Sequence, residues 1–404
     1  MRVLLANKFF YPKGGDAISF FSTAEVLRKN GHEVAFFSMH SPQNIDSPDS
    51  RYFVSYVNMD GGGMIDNIKM AGKILYSFEA KNKLSELINT QHPDIAHLHN
   101  ICHQISPSII DTLKKHNIPV VMTMHDYKLT CAAYTLLVHG NVCEECSGGK
   151  YYKALTKKCI KNSRLKSAVN VAEMYLHHKI LHIYEKVDIF ISPSRFLIEK
   201  TKQMGFPGRF VYLPNFADAG KFEPFYTSDN KTIVYFGRLI KEKGIKVLID
   251  AVKGCNLRLK IIGDGPQRKE LEDKVSREGI SNIEFLGYKK SDALQNEIRN
   301  CMFTVVPSEW YENNPLSIIE SFALGKPVIG AKIGGIPELI KERETGLLFE
   351  PGNSADLRKK IEFLLSDHTL CNKMGINARR FVEEELTPEK HYQSLLQIYQ
   401  SLVK

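Results

Sequence analysis

Strand-forming and helix-forming segments alternate along almost the whole chain, and this alternation limits the folds that it can adopt. The chain begins with an apolar strand at 3–10, the turn "YPKGGD", a helix that runs to Asn30 and stops at Gly31, and the strand "HEVAFFS". Helical patterns then separate three more strand segments, at 94–100, 119–126 and 187–194. Strands that alternate with helices predict an α/β fold with a parallel, doubly wound sheet.

The alternation lapses once, at 213–230, where Pro, Gly, Asn and Asp accumulate. It then restarts with five further strand patterns and the helices between them: "TIVYFG", "LRLKIIG", "IEFLG", "FTVVPS" and "KPVIGA". A chain of 404 residues is long enough for two domains, each with its own core. We therefore expect two α/β sheets joined by a linker near residue 217.

Composition and charge limit the location of the protein and the classes of molecule that it can bind. No run approaches the ~18 apolar residues of a membrane-spanning helix, and the first residues read as a strand rather than a signal peptide, so we expect a cytosolic chain. The formal net charge is +9, and the segment 150–166 is rich in Lys and contains no acid. This run is a solvated face, a contact to anionic lipid or a polyanionic acceptor, or a nucleic-acid surface.

Four loops that connect strands to helices are suited to a phosphorylated ligand. Ligands of parallel sheets bind at the carboxyl ends of strands, and bare N–H groups at a helix start bind anions. One loop has Asn314 placed to cap a helix that Pro315 starts. The candidate donor-binding residues on the four loops are Gly14, Gly15, Gly237, Arg238, Lys243, Gly263, Gly265, Leu316 and Ser317. The dinucleotide fingerprint G-x-G-x-x-G is absent from these loops. Because all four lie at strand ends and include the cations Arg238 and Lys243, together they predict a diphosphate site.

Two carboxylates accompany the last of these loops. Glu320 lies about one and a half turns inside a helix that otherwise reads as buried, and Glu312 lies in the loop before it. An isolated buried carboxylate is unfavourable unless something pairs with it. We expect Glu320 to accept hydrogen bonds from paired hydroxyls such as those of a ribose, with an ion pair to a neighbouring Lys or Arg as the alternative.

These residues carry a family resemblance. The segments "FGRLIKEKG", "IIGDGP" and "PSEWYENNPLSIIESFALGKPVIGAKIGGIPELI" resemble the retaining glycosyltransferase family four of the GT-B fold, and "YPKGGDAISFFSTAEVLRKNGHEV" is similar to its first β-α-β unit. The resemblance implies two Rossmann-like domains with parallel sheets that face a central cleft. It implies an acceptor-side domain at 1–217, with an insertion at 131–160 and completed by a crossover helix at 388–404, and a donor domain at 218–387.

The resemblance also implies the chemistry. A sugar would move from a nucleotide-diphosphate donor, with retention of anomeric configuration, to a saccharide or lipid-linked saccharide. Arg238 and Lys243 would bind the diphosphate, and Glu320 the ribose. Glu312 would lie near the donor sugar. His125 would contact that sugar near the anomeric centre, unless it is merely packed or hydrogen-bonded. Asn313 and Asn314 replace the usual small glycine, which affects which donor hydroxyls are recognised.

The segment "HDYKLTC…HGNVCEECSGGKYYK" resembles a branch that acts in bacterial capsular or exopolysaccharide assembly. The resulting expectation is a cytoplasmic enzyme, peripheral at the inner face of the cell membrane, that needs no cofactor for catalysis and binds no nucleic acid. Two other functions compete. A nucleotide-sugar epimerase would use the same fold, and a zinc-containing protein that binds nucleic acid would use the cysteines and the basic run.

Four of the eight cysteines cluster in the sequence as C-x11-C-x2-C-x12-C, at Cys131, Cys143, Cys146 and Cys159. Structural disulfides are rare in the cytosol, whereas a close Cys-x2-Cys pair flanked by two more thiols is typical of tetrahedral zinc. The long loop that contains them needs something to order it. We predict a structural zinc, with four reduced thiols as the alternative. Four thiolates leave no open position for catalysis.

Overall fold

The computed structural model of the protein describes residues 1–56, 71–226 and 231–403. The chain divides into two compact units. The first unit comprises Met1–Val138, Cys143–Leu213 and Tyr392–Lys404, and the second comprises His139–Val142 and Pro214–His391. Each unit is built around a six-stranded parallel sheet, which confirms the predicted α/β fold class.

The sheet of the first unit has the strand order β2-β1-β3-β4-β7-β8. The strands along this part of the chain are β1 Arg2–Ala6, β2 Glu33–Phe37, β3 Ile95–Leu98, β4 Val120–Thr123, β5 Leu137–Val138, β6 Asn141–Val142, β7 Ile189–Ser192 and β8 Phe210–Tyr212. The α-helices are Gly15–Lys29, Phe78–Gln91, Ile109–Lys115, Lys153–Thr156, Arg164–Tyr175 and Arg195–Gln203, and Pro388–Gln400 ends the chain. Shorter helical turns are Pro48–Tyr52, Ser147–Gly149, Leu176–Ile180 and Ile183–Lys186.

The sheet of the second unit has the order β11-β10-β9-β12-β13-β14. Its strands are β9 Thr232–Phe236, β10 Arg258–Ile262, β11 Ile283–Gly287, β12 Phe303–Val306, β13 Val328–Ala331 and β14 Gly346–Phe349. Its α-helices are Ile245–Val252, Arg268–Arg277, Ser291–Arg299, Leu316–Ala323, Ile336–Leu339, Ser354–Ser366 and His368–Glu385, with short 3₁₀ turns at Ala219–Lys221 and Lys241–Lys243.

Aromatic packing and the last helix close the core of the first unit. Phe10 lies 5.0 Å from Phe36 and 5.1 Å from Phe53, centroid to centroid. Tyr399, near the chain's end, is fully buried in the same core, and its hydroxyl lies 2.6 Å from Nδ1 of His97 on β3. A hydrogen-bonded tyrosine in an apolar core explains why the C-terminal segment from Tyr392 onward belongs to the first unit.

The strands differ from the sequence prediction mainly at their ends. β4 stops at Thr123, so His125 and Asp126 lie in the loop that follows it. The edge strands β8 and β14 were not predicted. Among the described helices, none is both long enough and apolar enough to cross a membrane.

The strand orders determine where a ligand binds. In a doubly wound sheet, the crevice lies at the carboxyl edge, where the connections turn from one direction to the other. This point lies between β1 and β3 in the first unit and between β9 and β12 in the second. The loops that start with Asn7 and His99 therefore meet in the first unit, and those that start with Gly237 and Pro307 meet in the second.

Candidate functional site

Close backbone contacts hold together the loops at the carboxyl edge of the second sheet. Gly263 has φ 140°, and a Cβ there would lie 1.9 Å from the carbonyl oxygen of Gly237. A Cβ on Gly265 would lie 2.4 Å from that of Leu239. Only glycine allows backbones to approach so closely. These predicted site glycines thus have a packing role, and Gly237 itself is exposed at the edge.

Arg238 is the exposed cation of this edge. Its backbone carbonyl accepts a hydrogen bond from the buried Tyr235 hydroxyl, at 2.9 Å. Over the described ranges, the Arg238 side chain forms no ion pair with a carboxylate. A guanidinium held at its backbone but open at its tip can contact an anion with two N–H groups at once.

Lys243 behaves differently, because its ammonium pairs with Glu312. Its Nζ lies 2.5 Å from Oε1 of Glu312, and the Ser308 hydroxyl donates to the same oxygen at 2.6 Å. Burial favours a raised pKa for the Glu312 carboxyl, but the charge and hydrogen bond of Lys243 outweigh it, so the pKa lies below the usual value. The two predicted residues form one ion pair, and a ligand that drew Lys243 away would leave the buried Glu312 with the Ser308 hydroxyl but without its cation.

The loop before the helix Leu316–Ala323 differs from the prediction. Pro315 precedes the first helical residue, and no side chain caps the helix. The Asn314 side-chain oxygen instead accepts from the backbone N–H of Asn215, at 3.1 Å. The prediction that Asn314 caps this helix is therefore wrong, because Pro315 occupies the N-cap position and the Asn314 side-chain oxygen is engaged by Asn215, 99 residues away in the chain. The first amides of the helix, at Leu316 and Ser317, receive no side-chain acceptor, and Asn313 lies half-buried beside them.

Glu320 is a carboxylate inside a largely buried helix, and its pKa and neighbours show how it is accommodated there. Burial raises the pKa of its carboxyl from an ordinary 4.5 to about 7. In the parts of the chain that the structure describes, no Lys or Arg forms an ion pair with it, so the ion-pair alternative is wrong. A half-buried carboxyl with a near-neutral pKa and no protein cation is typical of a site completed by a ligand.

In the first unit, His125 is backed by a histidine that the sequence reasoning missed. Nδ1 of His99 lies 2.9 Å from Nε2 of His125, and the two rings stack with centroids 5.1 Å apart. Burial lowers the pKa of His125, so its imidazole is neutral near pH 7. Because Nε2 faces His99, only Nδ1 of His125 remains to contact a ligand.

The turn with Gly14 and Gly15 holds a carboxylate. Gly14 precedes the helix Gly15–Lys29, which no side chain caps, and Asp16 lies in the first turn. The Asn100 amide, at the end of β3, donates to Asp16 at 3.2 Å. Burial favours a raised pKa for Asp16, but nearby His125 and Lys8 contribute to lowering it overall. This edge therefore presents a negative charge where the sequence predicted only a phosphate-binding turn.

Asp16, Asn100 and Asp126 were not predicted as site residues. A signal was available for Asn100 and Asp126, which are polar residues shortly after the neighbouring strands β3 and β4 of one parallel sheet. Behind them, the buried Glu173 accepts from Lys128 at 2.7 Å and lies 3.2 Å from His103. This buried network ties the loop after β4 to the helix Arg164–Tyr175.

The four clustered cysteines come near one another without forming a completed metal site. All are free thiols, and Cys131 and Cys146 are buried. Burial first, and then the proximity of Cys131, Cys159 and Cys143, raise the pKa of Cys146 to about 12. Within the described residues, however, no three Cys, His, Asp or Glu side chains are arranged to hold a metal ion. The thiols share one neighbourhood but not a ligand geometry, and zinc stays a prediction.

Two parallel-sheet units of this topology are typical of the GT-B fold. Comparison with solved structures agrees. The chain has a TM-score of 0.75 and 20% identity to sucrose-phosphate synthase from Thermosynechococcus elongatus, over 99% of this chain and 98% of that one. For HepE of Anabaena in complex with UDP-glucose, the TM-score is 0.68 at 18% identity, over 99% and 100% of the two chains.

The family follows from the sequence models. Residues 13–221, more than half of the chain, match the model described as Glycosyltransferase Family 4, and residues 219–381 match the one described as Glycosyl transferases group 1. The chain belongs to glycosyltransferase family 4.

Two curated relatives differ in how much of their length is matched. An uncharacterised glycosyltransferase of Methanocaldococcus jannaschii is 34% identical over 187 residues, which are 44% of this chain and 53% of that protein. An uncharacterised 42.6 kDa protein of the cps region of Klebsiella pneumoniae is 25% identical over 355 residues, 84% of this chain and 87% of that protein. Of these two relatives, the Klebsiella protein matches along most of both chains, and it is itself uncharacterised.

Proposed function

We propose that the protein is a retaining glycosyltransferase that moves a sugar from a nucleotide-diphosphate donor to a saccharide or lipid-linked saccharide. The observation that carries this proposal is Glu320, a half-buried carboxyl that no Lys or Arg of the described residues pairs with, inside the helix whose uncapped start lies at the carboxyl edge of the second sheet. Ribose hydroxyls would supply the hydrogen bonds that this carboxyl lacks. The neighbouring Arg238 would bind the diphosphate.

The reaction develops opposite charges. As the bond between the anomeric carbon and the phosphate breaks, negative charge grows on the leaving diphosphate. Arg238 and the free amides of Leu316 and Ser317 are fixed donors for that charge, which is the arrangement that stabilises a transition state most. The acceptor hydroxyl attacks the same face that the diphosphate leaves, and its proton passes to a leaving phosphate oxygen. Retention then needs no protein nucleophile.

Lys243 and Glu312 contribute as a pair. The donor diphosphate would draw the Lys243 ammonium toward it, while Glu312 turns toward hydroxyls of the donor sugar, as the family resemblance implies. The buried position of Glu312 makes this exchange favourable only when the ligand supplies hydrogen bonds to it. The pair would thus be opened by the donor and closed in its absence.

We also propose a membrane-bound acceptor in cell-surface polysaccharide synthesis, with the basic run 150–166 docked on anionic lipid. At the start of the helix Arg164–Tyr175, Leu165 is 77% exposed between the exposed Arg164 and Lys166. An exposed leucine between two cations fits an interface where the apolar group inserts and the charges meet headgroups. The similarity to a protein of a Klebsiella cps region supports the same role.

The donor is tested by thermal-shift screening of nucleotide sugars and free nucleotides. A ligand that binds only the folded protein raises its stability by RT ln(1 + [L]/Kd), so one nucleotide series should raise the melting temperature. The stabilising donor is then incubated with protein and n-octyl glycosides, and products are separated by mass spectrometry and NMR. A glycoside extended by one sugar with the donor's anomeric configuration supports the proposal. A changed nucleotide sugar without transfer would indicate an epimerase, and no turnover of any donor overturns the proposal.

Membrane docking is tested by sedimentation with vesicles. Changing the lysines of 150–166 to glutamine should weaken binding to phosphatidylglycerol vesicles severalfold, and the difference should fade at high salt because screening removes it. An equal number of exposed lysines changed in the second unit is the control. Unchanged binding of the first variant would show that the run is only a solvated face.

A further inference from the structure

The loop that follows β12 places two further side chains beside the Lys243–Glu312 ion pair. The Ser308 hydroxyl and the Lys243 ammonium both donate to Oε1 of Glu312, at 2.6 and 2.5 Å. The ring of Trp310 faces the same ammonium, with 5.5 Å between Nζ and the ring centroid. A cation at this distance from an indole face is attracted to it. One ammonium is therefore shared by a carboxylate and an aromatic ring.

The indole N–H of Trp310 is the unsatisfied group in this arrangement. The side chain is half-buried, but its Nε1 atom is buried, and in the described part of the chain no acceptor meets it in hydrogen-bond geometry. The N–H is nevertheless close to Glu312: burial opposes the effect, but Lys243, Ser308 and Trp310 together lower the pKa of that carboxyl. A buried donor without an acceptor is unfavourable, so this N–H is available to Glu312 when another donor leaves.

The backbone of this loop is held on both sides of Trp310. Before it, the backbone N–H of Glu309 donates to the carbonyl of Glu242 at 2.8 Å. After it, the backbone N–H of Gly335 donates to the carbonyl of Glu312 at 2.7 Å. With the backbone held in this way, we expect only side chains to rearrange when a ligand draws the ammonium away. Glu312 then needs a replacement donor that is already within reach.

We propose that Trp310 is a positioning residue whose indole N–H donates to the Glu312 carboxylate once the donor diphosphate has drawn the Lys243 ammonium away. The inference rests on the proposed function, in which the diphosphate opens this pair, and it names the group that Glu312 binds in the open state. Trp310 suits the role because its ring faces the ammonium while the pair is closed and its N–H lies beside the carboxylate that the ammonium leaves. The Ser308 hydroxyl is already engaged in the closed pair.

The role of Trp310 is orientation, and it acts through Glu312 rather than on the substrate. An ionised carboxylate accepts hydrogen bonds at both oxygens, so a bond from the indole to one oxygen leaves the other for hydroxyls of the donor sugar. The neutral N–H replaces only part of the ammonium's contribution, so the pair closes again when the diphosphate leaves. A tryptophan that only packs against Lys243 would leave Glu312 without a nitrogen donor in the open state.

Nuclear magnetic resonance of the full chain tests the hydrogen bond directly. Trp310 is the only tryptophan in the sequence, so isotope-labelled tryptophan gives a single indole N–H signal. A hydrogen bond to a carboxylate moves that proton downfield, because charge-assisted hydrogen bonds are short and strong. We expect a downfield shift in Lys243→Met without any ligand, and in the wild type when inorganic pyrophosphate is added. The signal should stay in place when Lys243→Met is combined with Glu312→Gln.

Chemical denaturation tests the same hydrogen bond through stability. Trp310→Phe keeps an aromatic ring against the ammonium but removes the N–H. In this background Lys243→Met should raise the unfolding equilibrium constant about 10–100-fold more than in the wild type, because Glu312 then loses both nitrogen donors. Glu312→Gln is the matched control: without the charge, the effects of Lys243→Met in the two backgrounds should agree within about twofold.

An indole signal that stays in place in Lys243→Met or with pyrophosphate would overturn the assignment to Trp310. If the variants do not fold, the pyrophosphate titration of the wild type decides alone. An equal effect of Lys243→Met in the two backgrounds would also overturn it. None of these results touches the proposed glycosyl transfer, which is judged by donor turnover. Absence of turnover overturns that function, whereas the shift in Lys243→Met needs no ligand and still decides the role of the indole N–H.

Discussion

The carboxyl edges of the two sheets use the same backbone topology for opposite chemistry. In the second unit, the edge carries the exposed Arg238, the uncapped start of Leu316–Ala323 and the unpaired Glu320. In the first unit, the corresponding loops carry Asp16 and Asp126, together with amides and a neutral His125. The cationic edge suits a diphosphate and the anionic edge suits hydroxyls.

The two edges are also held together by different means. In the second unit, glycines allow the loops after β9 and β10 to touch through their backbones. In the first unit, the loops are connected by hydrogen bonds: the backbone N–H of Asn100 donates to the side-chain oxygen of Asn7 at 3.1 Å, and the backbone N–H of Lys8 donates to the backbone carbonyl of Asn100 at 2.8 Å.

The strongest test of the cationic edge is Arg238→Ala. Its contact with the leaving phosphate should strengthen as charge builds up, so turnover should fall more than donor binding. By analogy with loss of an oxyanion donor, we expect roughly 10²–10³-fold lower kcat. Arg238→Lys should rescue only in part, since an ammonium lacks the two-pronged contact. Near-wild-type kcat in a folded Arg238→Ala would place the diphosphate elsewhere.

The Lys243–Glu312 pair should separate stability from catalysis. Lys243→Ala leaves Glu312 buried and unpaired, which typically costs about 3–5 kcal/mol, whereas the double variant Lys243→Met with Glu312→Gln removes both charges and should restore most of that stability. Chemical denaturation measures the difference. Turnover should stay low in both variants. A single variant as stable as the wild type would show that water, not Lys243, solvates Glu312.

Glu320 predicts a pH dependence for donor binding. Without a bound donor, burial keeps the pKa of the Glu320 carboxyl near 7. Between pH 4.5 and pH 7 the folded state therefore keeps a proton that the unfolded chain has lost, so the contribution of this group to folding stability decreases as the pH rises through that range. Ribose hydroxyls favour the ionised form, so binding releases a proton. Donor Kd from calorimetry should improve about tenfold from pH 6 to pH 8, and Glu320→Gln should abolish this slope. A flat wild-type profile contradicts the ribose assignment.

The smallest expected effect on activity concerns the cysteine cluster, which only the first unit has. Zinc-replete protein should contain about one zinc per chain by elemental analysis. Chelation should increase hydrogen exchange at 131–160 before the rest, because the metal would order that loop. Cys131→Ser should lose the metal, and Cys255→Ser, in the second unit, should keep it. Metal-free protein with four freely alkylated thiols would show that the loop packs without zinc.

The comparison of the two edges also shows which contacts can be predicted from residue patterns and which cannot. The resemblance of the loop that carries Arg238 and Lys243 implied that both cations bind the diphosphate. The structure separates them, because Glu312 is 69 positions from Lys243 in sequence and reaches it only where β9 and β12 are adjacent. The predicted cap at Asn314 failed for the same reason, since its partner Asn215 is 99 residues away. Asp126 follows His125 in the sequence but was not predicted as a site residue. A carboxylate after a strand is common, and only the structure shows whether a cation pairs with it.

By itself, the sequence determined the properties that depend on neighbouring residues. The alternation of apolar strands and helices determined two parallel-sheet units, and glycines at 237, 263 and 265 marked loops that need a bare backbone. Only the tertiary structure decided which charges are satisfied: Glu312 is paired with Lys243 and Glu173 with Lys128, whereas neither Glu320 nor Asp126 is paired with a cation among the described residues. The physical reason is that helix and strand patterns repeat over a few residues, whereas the partner of a buried charge is set by strand order and burial, which bring together residues far apart in the chain.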